Sequence, residues 1–197
     1  MIPQPSAPDS ADYAVVLAPG AVRLERTLPG PIERVWAYLT ESDKRKQWLG
    51  SGEMELAVGG AVEHVFRNSE LTRDDAPPPA KHAAHAVESR MHGRITACEP
   101  PRILAYTWGE VEGEHADAGS EVRFELTPVG TNVRLVVTHR RLASRDGMVG
   151  VSSGWHSHLT VLAARLAGRT PPGFWATYSR LEDEYEQRIP AAATSAR

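Results

Sequence analysis

Apolar and polar residues alternate along several short stretches of the chain, a pattern typical of strands with one buried face. The clearest case is the pair 120–127 and 131–139, in which every second residue is apolar on both sides of a short turn. Gly59-Gly60 indicates a second hairpin. The other stretches with a strand pattern are 22–28, 53–58, 61–66, 91–98 and 103–108. Short turns between consecutive strands predict an antiparallel sheet.

Apolar residues recur at helical spacing in four other stretches. Two short helices are predicted after the first strand, one from Pro31 through 39 and one that begins at Ser42 or Asp43. The longest helix is predicted over 155–167, and its apolar side chains fall on one face. A further helix is predicted over 174–188. The residues of the long helix's apolar face are Trp155, Leu159, Leu162, Ala163 and Leu166.

The order of these elements predicts the fold class. One face of an antiparallel sheet must be covered, and the long helix carries the apolar stripe that can cover it. We therefore expect an α+β, helix-grip fold: a curved antiparallel sheet of about seven strands around a long C-terminal helix, with two short helices after the first strand.

Length and local composition indicate one domain. A chain of 197 residues fits a single domain with frayed ends. We assign this domain to 13–189, with disordered tails at 1–12 and 190–197, and with the predicted helix 174–188 as a C-terminal addition. The polar stretch 68–90 contains three consecutive prolines and is predicted to be a mobile insertion.

Charge and cysteine content narrow the partners and the compartment. The net charge of -3 comes without a basic stripe, so no nucleic-acid partner is expected. No stretch approaches the ~18 apolar residues of a membrane span. Cys98 is the only cysteine, which excludes a disulfide within one chain and favours a reducing compartment, the cytoplasm.

Residues 150–154 match the G-x-S-x-G pattern of the nucleophile elbow in hydrolases. That motif needs an acid and then a histidine later in the chain, and no acid lies between Ser152 and the last histidine, His158. We therefore expect Ser152 or Ser153 to be the N-cap of the long helix, and neither to be a nucleophile.

The eight histidines do not form a metal-binding pattern. His82 and His85 are three residues apart, and His156 and His158 are two apart, with no second pair at a zinc spacing. We expect neither a metal nor a cofactor. His139 shares the strand parity of the apolar residues before it, so it is either a ligand-facing acid–base group or a core histidine with structural hydrogen bonds.

Several short motifs, taken in order, carry a family resemblance. They are 31–36, Gln47-Trp48-Leu49, Gly93-Arg94-Ile95, Glu99-Pro100-Pro101-Arg102, Gly130-Thr131 and Gly154-Trp155. Over about 20–170 the chain resembles the SRPBCC superfamily, also called START-like or birch-pollen-allergen-like, and within it the AHSA-type branch named after the activator of the heat-shock-protein ATPase. The resemblance implies a cavity between sheet and long helix that holds lipids, polyketides or other apolar ligands. It implies no single reaction.

Ten residues are expected to line this cavity because they lie on the inner face of a strand or of the long helix. They are Tyr106, Trp108, Phe124, Leu135, Val137, His139, Trp155, Leu159, Leu162 and Leu166. For the two tryptophans, plain core packing is the other interpretation. We expect an unfilled space of ~300–1,000 Å³, reached near a loop at 144–154.

The expected function is binding of a small hydrophobic molecule in that space. Two alternatives stay open at this stage. One is an enzyme, a cyclase, dehydratase or hydrolase that uses His139 and Tyr106; the other is a protein-interaction or co-chaperone-like module. The sequence assigns no catalytic residue, and it leaves open a homodimer or a protein partner.

Overall fold

The computed structural model describes residues 12–109 and 119–191, and almost all of the two predicted tails lies outside them. Within the described residues the chain forms seven strands and four α-helices. The strands are β1 (Val15–Ala18), β2 (Ala21–Pro29), β3 (Ala61–Phe66), β4 (Ser89–Glu99), β5 (Ile103–Trp108), β6 (Ser120–Val129) and β7 (Asn132–Arg140). The α-helices are α1 (Ile32–Thr40), α2 (Ser42–Arg45), α3 (Arg145–Leu166) and α4 (Phe174–Arg188).

The strands form one antiparallel sheet in the order β1-β2-β7-β6-β5-β4-β3. The long helix α3 covers one face, so the predicted α+β, helix-grip fold is confirmed. The register pairs Val22 with His139 and Phe124 with Val137, so the apolar parity of neighbouring strands meets on this covered face. These four side chains are at most 1% exposed.

One predicted strand is absent from the structure, and one strand of the structure was not predicted. Residues 53–58 form no strand and contribute only an isolated bridge between Met54 and Val62. A turn begins inside this stretch, because the Ala57 amide donates to the Glu55 carbonyl at 2.7 Å and the Gly60 amide donates to the Ala57 carbonyl at 2.8 Å. The seventh strand is β1 instead, whose largely exposed residues give no alternation to detect.

Helix α3 begins ten residues earlier than predicted, so the loop expected at 144–154 is wrong. The N-cap is Ser144, whose Oγ accepts a hydrogen bond from the Gly147 amide at 3.0 Å. Ser152 and Ser153 lie inside the helix, and the expectation that one of them is the cap is also wrong. Packing against β2 and α4 stabilises this part of the helix and outweighs the low helix propensity of its glycines.

The segment 68–90 contains short 3₁₀ helices at Asn68–Glu70 and Ala80–His85, and the first of these helices contacts α4. Asp75 accepts hydrogen bonds from the amides of Trp175, at 2.7 Å, and Ala176, at 3.2 Å. Thr72 accepts one from the Phe174 amide at 3.0 Å. The N-terminus of α4 is thus capped by a distant segment of the chain. The mobility of 68–90 stays a prediction.

Candidate functional site

The space between the sheet and α3 is occupied by a group of rings that we call the aromatic cluster. Trp155 of α3 lies edge-on to Trp108 of β5 and Phe124 of β6, with ring centroids 5.0 and 5.4 Å apart. Tyr106 stacks on Phe124 at 5.9 Å. The members of the cluster are His64, Phe66, Tyr106, Trp108, Phe124, His139 and Trp155. Four strands and one helix therefore contribute to one aromatic interior.

His139 faces the interior, as its strand parity predicts, and both of its ring nitrogens are paired. The indole N–H of Trp155 donates to Nδ1 at 3.1 Å. The proton is then on Nε2, which donates to Ser120 Oγ at 3.0 Å, and Ser120 donates to the Trp108 carbonyl at 3.1 Å. Burial, together with the charge of Arg141, lowers the pKa of His139 to about 3. The imidazole is therefore neutral and fixed by its hydrogen bonds, which favours the interpretation of His139 as a core histidine.

His64 belongs to the site although the sequence analysis did not single it out. It lies on β3, is fully buried, and its Nε2 is 3.1 Å from Tyr106 Oη. Burial, followed by the charge of Arg45 and by repulsion from His158 when that residue is protonated, lowers its pKa to about 3. Among the described residues, its Nδ1 atom has no hydrogen-bond partner. The one signal in the sequence is the alternation of Val62 and His64 along β3.

Tyr106, the partner of His64, is also neutral. It is 1% exposed, and burial raises the pKa of its hydroxyl far above the ordinary value of 10.0. The Arg45 guanidinium acts in the opposite direction but less strongly. A protonated tyrosine beside a neutral imidazole can donate hydrogen bonds to a ligand or accept them from it. Neither group carries a charge at neutral pH.

The two histidines of α3 at 156 and 158 point to different neighbours. Nδ1 of His158 lies 2.7 Å from the Trp48 carbonyl, to which it donates, and its ring is 4.7 Å from that of Phe174. Nδ1 of His156 lies 3.0 Å from Tyr185 Oη. The described part of the chain contains no group of three or more residues placed to hold a metal ion.

The other expected ligand-binding residues surround the aromatic cluster and are at most 2% exposed. They are Leu135, Val137, Leu159, Leu162 and Leu166. Nine of the ten expected residues are therefore buried between sheet and helix, and the tenth, Trp108, is half-buried. Their role in binding stays a prediction, and so does the unfilled space, because the rings of the cluster are in contact in this structure.

Clefts open on the surface of the described residues, and residues 144–154 line neither of the following two. One, of about 300 Å³, has an apolar floor that includes Leu49 and Leu71 and a rim with Arg67 and Arg165. The other, of about 610 Å³, lies between β2 and α3 beside Arg26. The entry expected at 144–154 depended on a loop there, whereas residues 145–154 form a packed part of α3.

The serines of the G-x-S-x-G pattern do not lie at a strand-to-helix turn. Ser152 and Ser153 are fully buried within α3, and Ser153 donates to the Val149 carbonyl at 2.8 Å. This is the geometry of a serine inside a helix, which bonds back to the preceding turn.

Among the described residues, no helix combines the length and the hydropathy needed to cross a membrane.

Comparison with known proteins identifies relatives over most of the chain. The family model described as "Activator of Hsp90 ATPase homolog 1-like protein" matches residues 29–167. None of the curated proteins compared with the chain matches it. Among solved structures, the protein encoded by gene BPP1335 from Bordetella parapertussis is 45% identical, with a TM-score of 0.74, over 98% of this chain and 100% of that chain.

More distant structures share the fold. CalU16 from Micromonospora echinospora is 23% identical, with a TM-score of 0.61 over 89% of both chains. Protein Ms6760 from Mycobacterium smegmatis is 15% identical, with a TM-score of 0.56, over 76% of this chain and 92% of that chain. At these identities the similarity concerns the arrangement of sheet and helices alone.

Proposed function

The chain belongs to the family of Activator of Hsp90 ATPase homolog 1-like proteins, and we propose that it binds a small, largely apolar molecule between the sheet and α3. The observation that carries this proposal is the aromatic cluster, in which rings from β3, β5, β6, β7 and α3 surround neutral polar groups. Apolar and aromatic walls with a few placed polar groups are typical of small-molecule sites. A lipid, a polyketide or a similar compound fits this chemistry.

Ligand entry requires the rings to separate, because the cluster is closed in this structure. Phe66 and Trp108 are only partly buried, whereas Phe124 and Trp155 are at most 3% exposed. The cluster therefore reaches the surface at the side of β3 and β5. We propose that a ligand enters there when the Phe66 and Trp108 side chains rotate. Contacts between the ligand and the rings then replace the contacts of the rings with one another.

The chemistry of the cluster favours binding over acid–base catalysis. His64 and His139 have pKa values of about 3, so each is a weak base at neutral pH. The Tyr106 hydroxyl has a raised pKa and does not ionise in this range. We therefore place the ligand-binding function before the enzyme alternative. The single cysteine, which can form no disulfide within the chain, favours action in the cytoplasm.

The test is a titration of the purified protein with 2-isopropylnaphthalene, followed by NMR of the five indole N–H groups. We expect saturable shifts of the Trp108 and Trp155 signals and little change for Trp36, which lies outside the cluster. Trp→Phe variants assign the signals. If no indole signal of the cluster shifts saturably, the proposal is wrong. If the cluster signals do shift saturably, native mass spectrometry of protein from its own host identifies the natural ligand.

A further inference from the structure

We propose that the bound molecule carries a carbonyl or similar oxygen acceptor that receives a hydrogen bond from Nδ1 of His64. This inference rests on the proposed function and narrows the ligand to an apolar compound with a polar acceptor at one position. It is carried by the location of His64, by its unpaired nitrogen and by the tautomer that Tyr106 imposes.

The location of His64 places its ring among the walls of the proposed site. Its centroid lies 5.4 Å from that of Tyr106, 5.5 Å from Phe66 and 5.8 Å from Trp108. Phe66 and Trp108 are the two partly exposed rings of the cluster. A molecule that enters between them therefore comes directly to the imidazole.

The unpaired nitrogen distinguishes His64 from the other buried histidines. Nδ1 accepts from Trp155 in His139, lies beside Tyr185 Oη in His156 and donates to the Trp48 carbonyl in His158. In His64, Nδ1 is buried and has no partner in the part of the chain that the structure describes. Buried polar atoms are normally paired, and an exception calls for an explanation such as an absent ligand.

The hydrogen bond to Tyr106 decides which kind of group fits. If Tyr106 donates its hydroxyl proton to Nε2, the His64 proton is on Nδ1 and one donor remains unpaired. If Nε2 donates instead, both the Tyr106 proton and Nδ1 are left unpaired in the interior. The first arrangement satisfies more groups, so Nδ1–H is the free donor. The nearby positive charge of Arg45, which also acts on His64, favours a partner with partial negative charge.

A matched pair of probes tests the inference: 2-acetylnaphthalene, which has a carbonyl, and 2-isopropylnaphthalene, which has the same shape without one. The measured quantity is the ratio of their dissociation constants. The asparagine amide can replace Nδ1–H of histidine, whereas the glutamine amide replaces Nε2. We expect His64→Asn to keep the wild-type preference for the ketone, and His64→Gln to reduce it about tenfold.

A second readout uses the wild-type protein alone. The infrared carbonyl stretch of bound 2-acetylnaphthalene should lie at lower frequency than in a hydrocarbon solvent, because the carbonyl accepts a hydrogen bond. If both probes bind but His64→Gln keeps the preference and the stretch is unshifted, this inference is wrong and the proposed function stands. If neither probe binds the wild type, both are wrong.

Discussion

At the scale of single residues, His139 is oriented by Trp155 on one side and Ser120 on the other. Trp155→Phe keeps an aromatic ring but leaves Nδ1 buried without a donor. We expect the free energy of unfolding to fall by about 1–3 kcal/mol from this unpaired atom, in addition to any loss of packing. Urea denaturation of the wild type and the variant measures the difference.

The double variant Trp155→Phe with His139→Leu separates the hydrogen bond from the packing. The double variant removes both the Trp155 donor and the His139 acceptor, so Nδ1 is no longer left unpaired. Removal of both partners lowers the free energy of unfolding less than leaving one buried atom without a hydrogen bond. We expect the double variant to lose less stability than the sum of the two single variants. Strict additivity would show that the two side chains do not interact and would contradict this view of His139.

Strand periodicity predicts which residues face the interior but not how they pair. The inner-face parity of His139, Phe124 and Tyr106 follows from the alternation of their strands, and the structure places all three there. His64 has the same parity on β3, yet its importance comes from Tyr106, which is 42 residues away. A contact over that distance depends on strand order and sheet curvature, which a local pattern does not contain.

At the scale of elements, local signals determine strands well and helix ends poorly. The strands β3 and β5 agree with the predicted 61–66 and 103–108, since alternation and turn residues bound them on both sides. The start of α3 was misplaced because Gly147 and Gly150 indicate a loop locally. Their helix exists because its buried face packs on β2 and α4. Tertiary packing of this kind is not visible in a window of neighbouring residues.

The cap that Asp75 supplies to α4 gives a prediction for the segment 68–90. Gly173 has no side chain, and a Cβ there would clash with the Asp75 carboxylate, so the two segments fit closely. We expect Asp75→Ala to lower the free energy of unfolding by about 0.5–2 kcal/mol. In limited proteolysis, we expect the wild type to be cut first within 76–88 and the variant to be cut there faster.

Arg73→Ala, an exposed position two residues away, is the matched control and should change neither stability nor cleavage. If the wild type is cut first outside 68–90, the predicted mobility of the segment is wrong. If Asp75→Ala and Arg73→Ala behave alike, the hydrogen bonds to the α4 amides contribute nothing measurable.

At the scale of the whole molecule, buried histidines make stability depend on pH. His64, His139 and His156 have pKa values of about 3 and His158 of about 4, in each case mainly through burial. These values lie below the 6.5 of an exposed histidine, so the unfolded chain binds more protons than the folded protein below that pH. The stabilisation is complete above pH 6.5 and is lost as the pH falls from 6.5 towards 3.

We expect the free energy of unfolding to fall between pH 7.5 and 5.5, with each buried histidine contributing at most ~1.4 kcal/mol per pH unit. In His158→Asn the amide can keep the hydrogen bond to the Trp48 carbonyl while it removes the titration. Urea denaturation should show a weaker pH dependence for this variant than for the wild type. A stability that does not change between these pH values would contradict the low histidine pKa values.

The fold class follows from the order of elements, but the state of the interior does not. Inner-face residues of medium size predict an open space, and the structure shows that the rings of Trp108 and Trp155 meet within this interior, with centroids 5.0 Å apart. Ring orientation depends on every neighbour at once, and so the sequence alone could not show whether the site is open or closed. Binding therefore requires the rings to separate, and the free energy needed for that step weakens the affinity for the ligand.

A larger side chain at Leu162 tests whether binding takes place in the interior between the sheet and α3. Leu162 is fully buried on the side of α3 that faces the sheet, so Leu162→Trp should occupy the space that opens for a ligand, at an overpacking cost of ~1–3 kcal/mol. We expect the affinity for 2-isopropylnaphthalene to fall at least about tenfold. Leu56→Trp makes the same change at an exposed position and should bind as the wild type does. If both variants bind the probe equally well, the apolar binding site lies on the surface and not in the interior. That result would favour the protein-interaction alternative, since an exposed apolar patch is typical of a surface that binds a macromolecular partner.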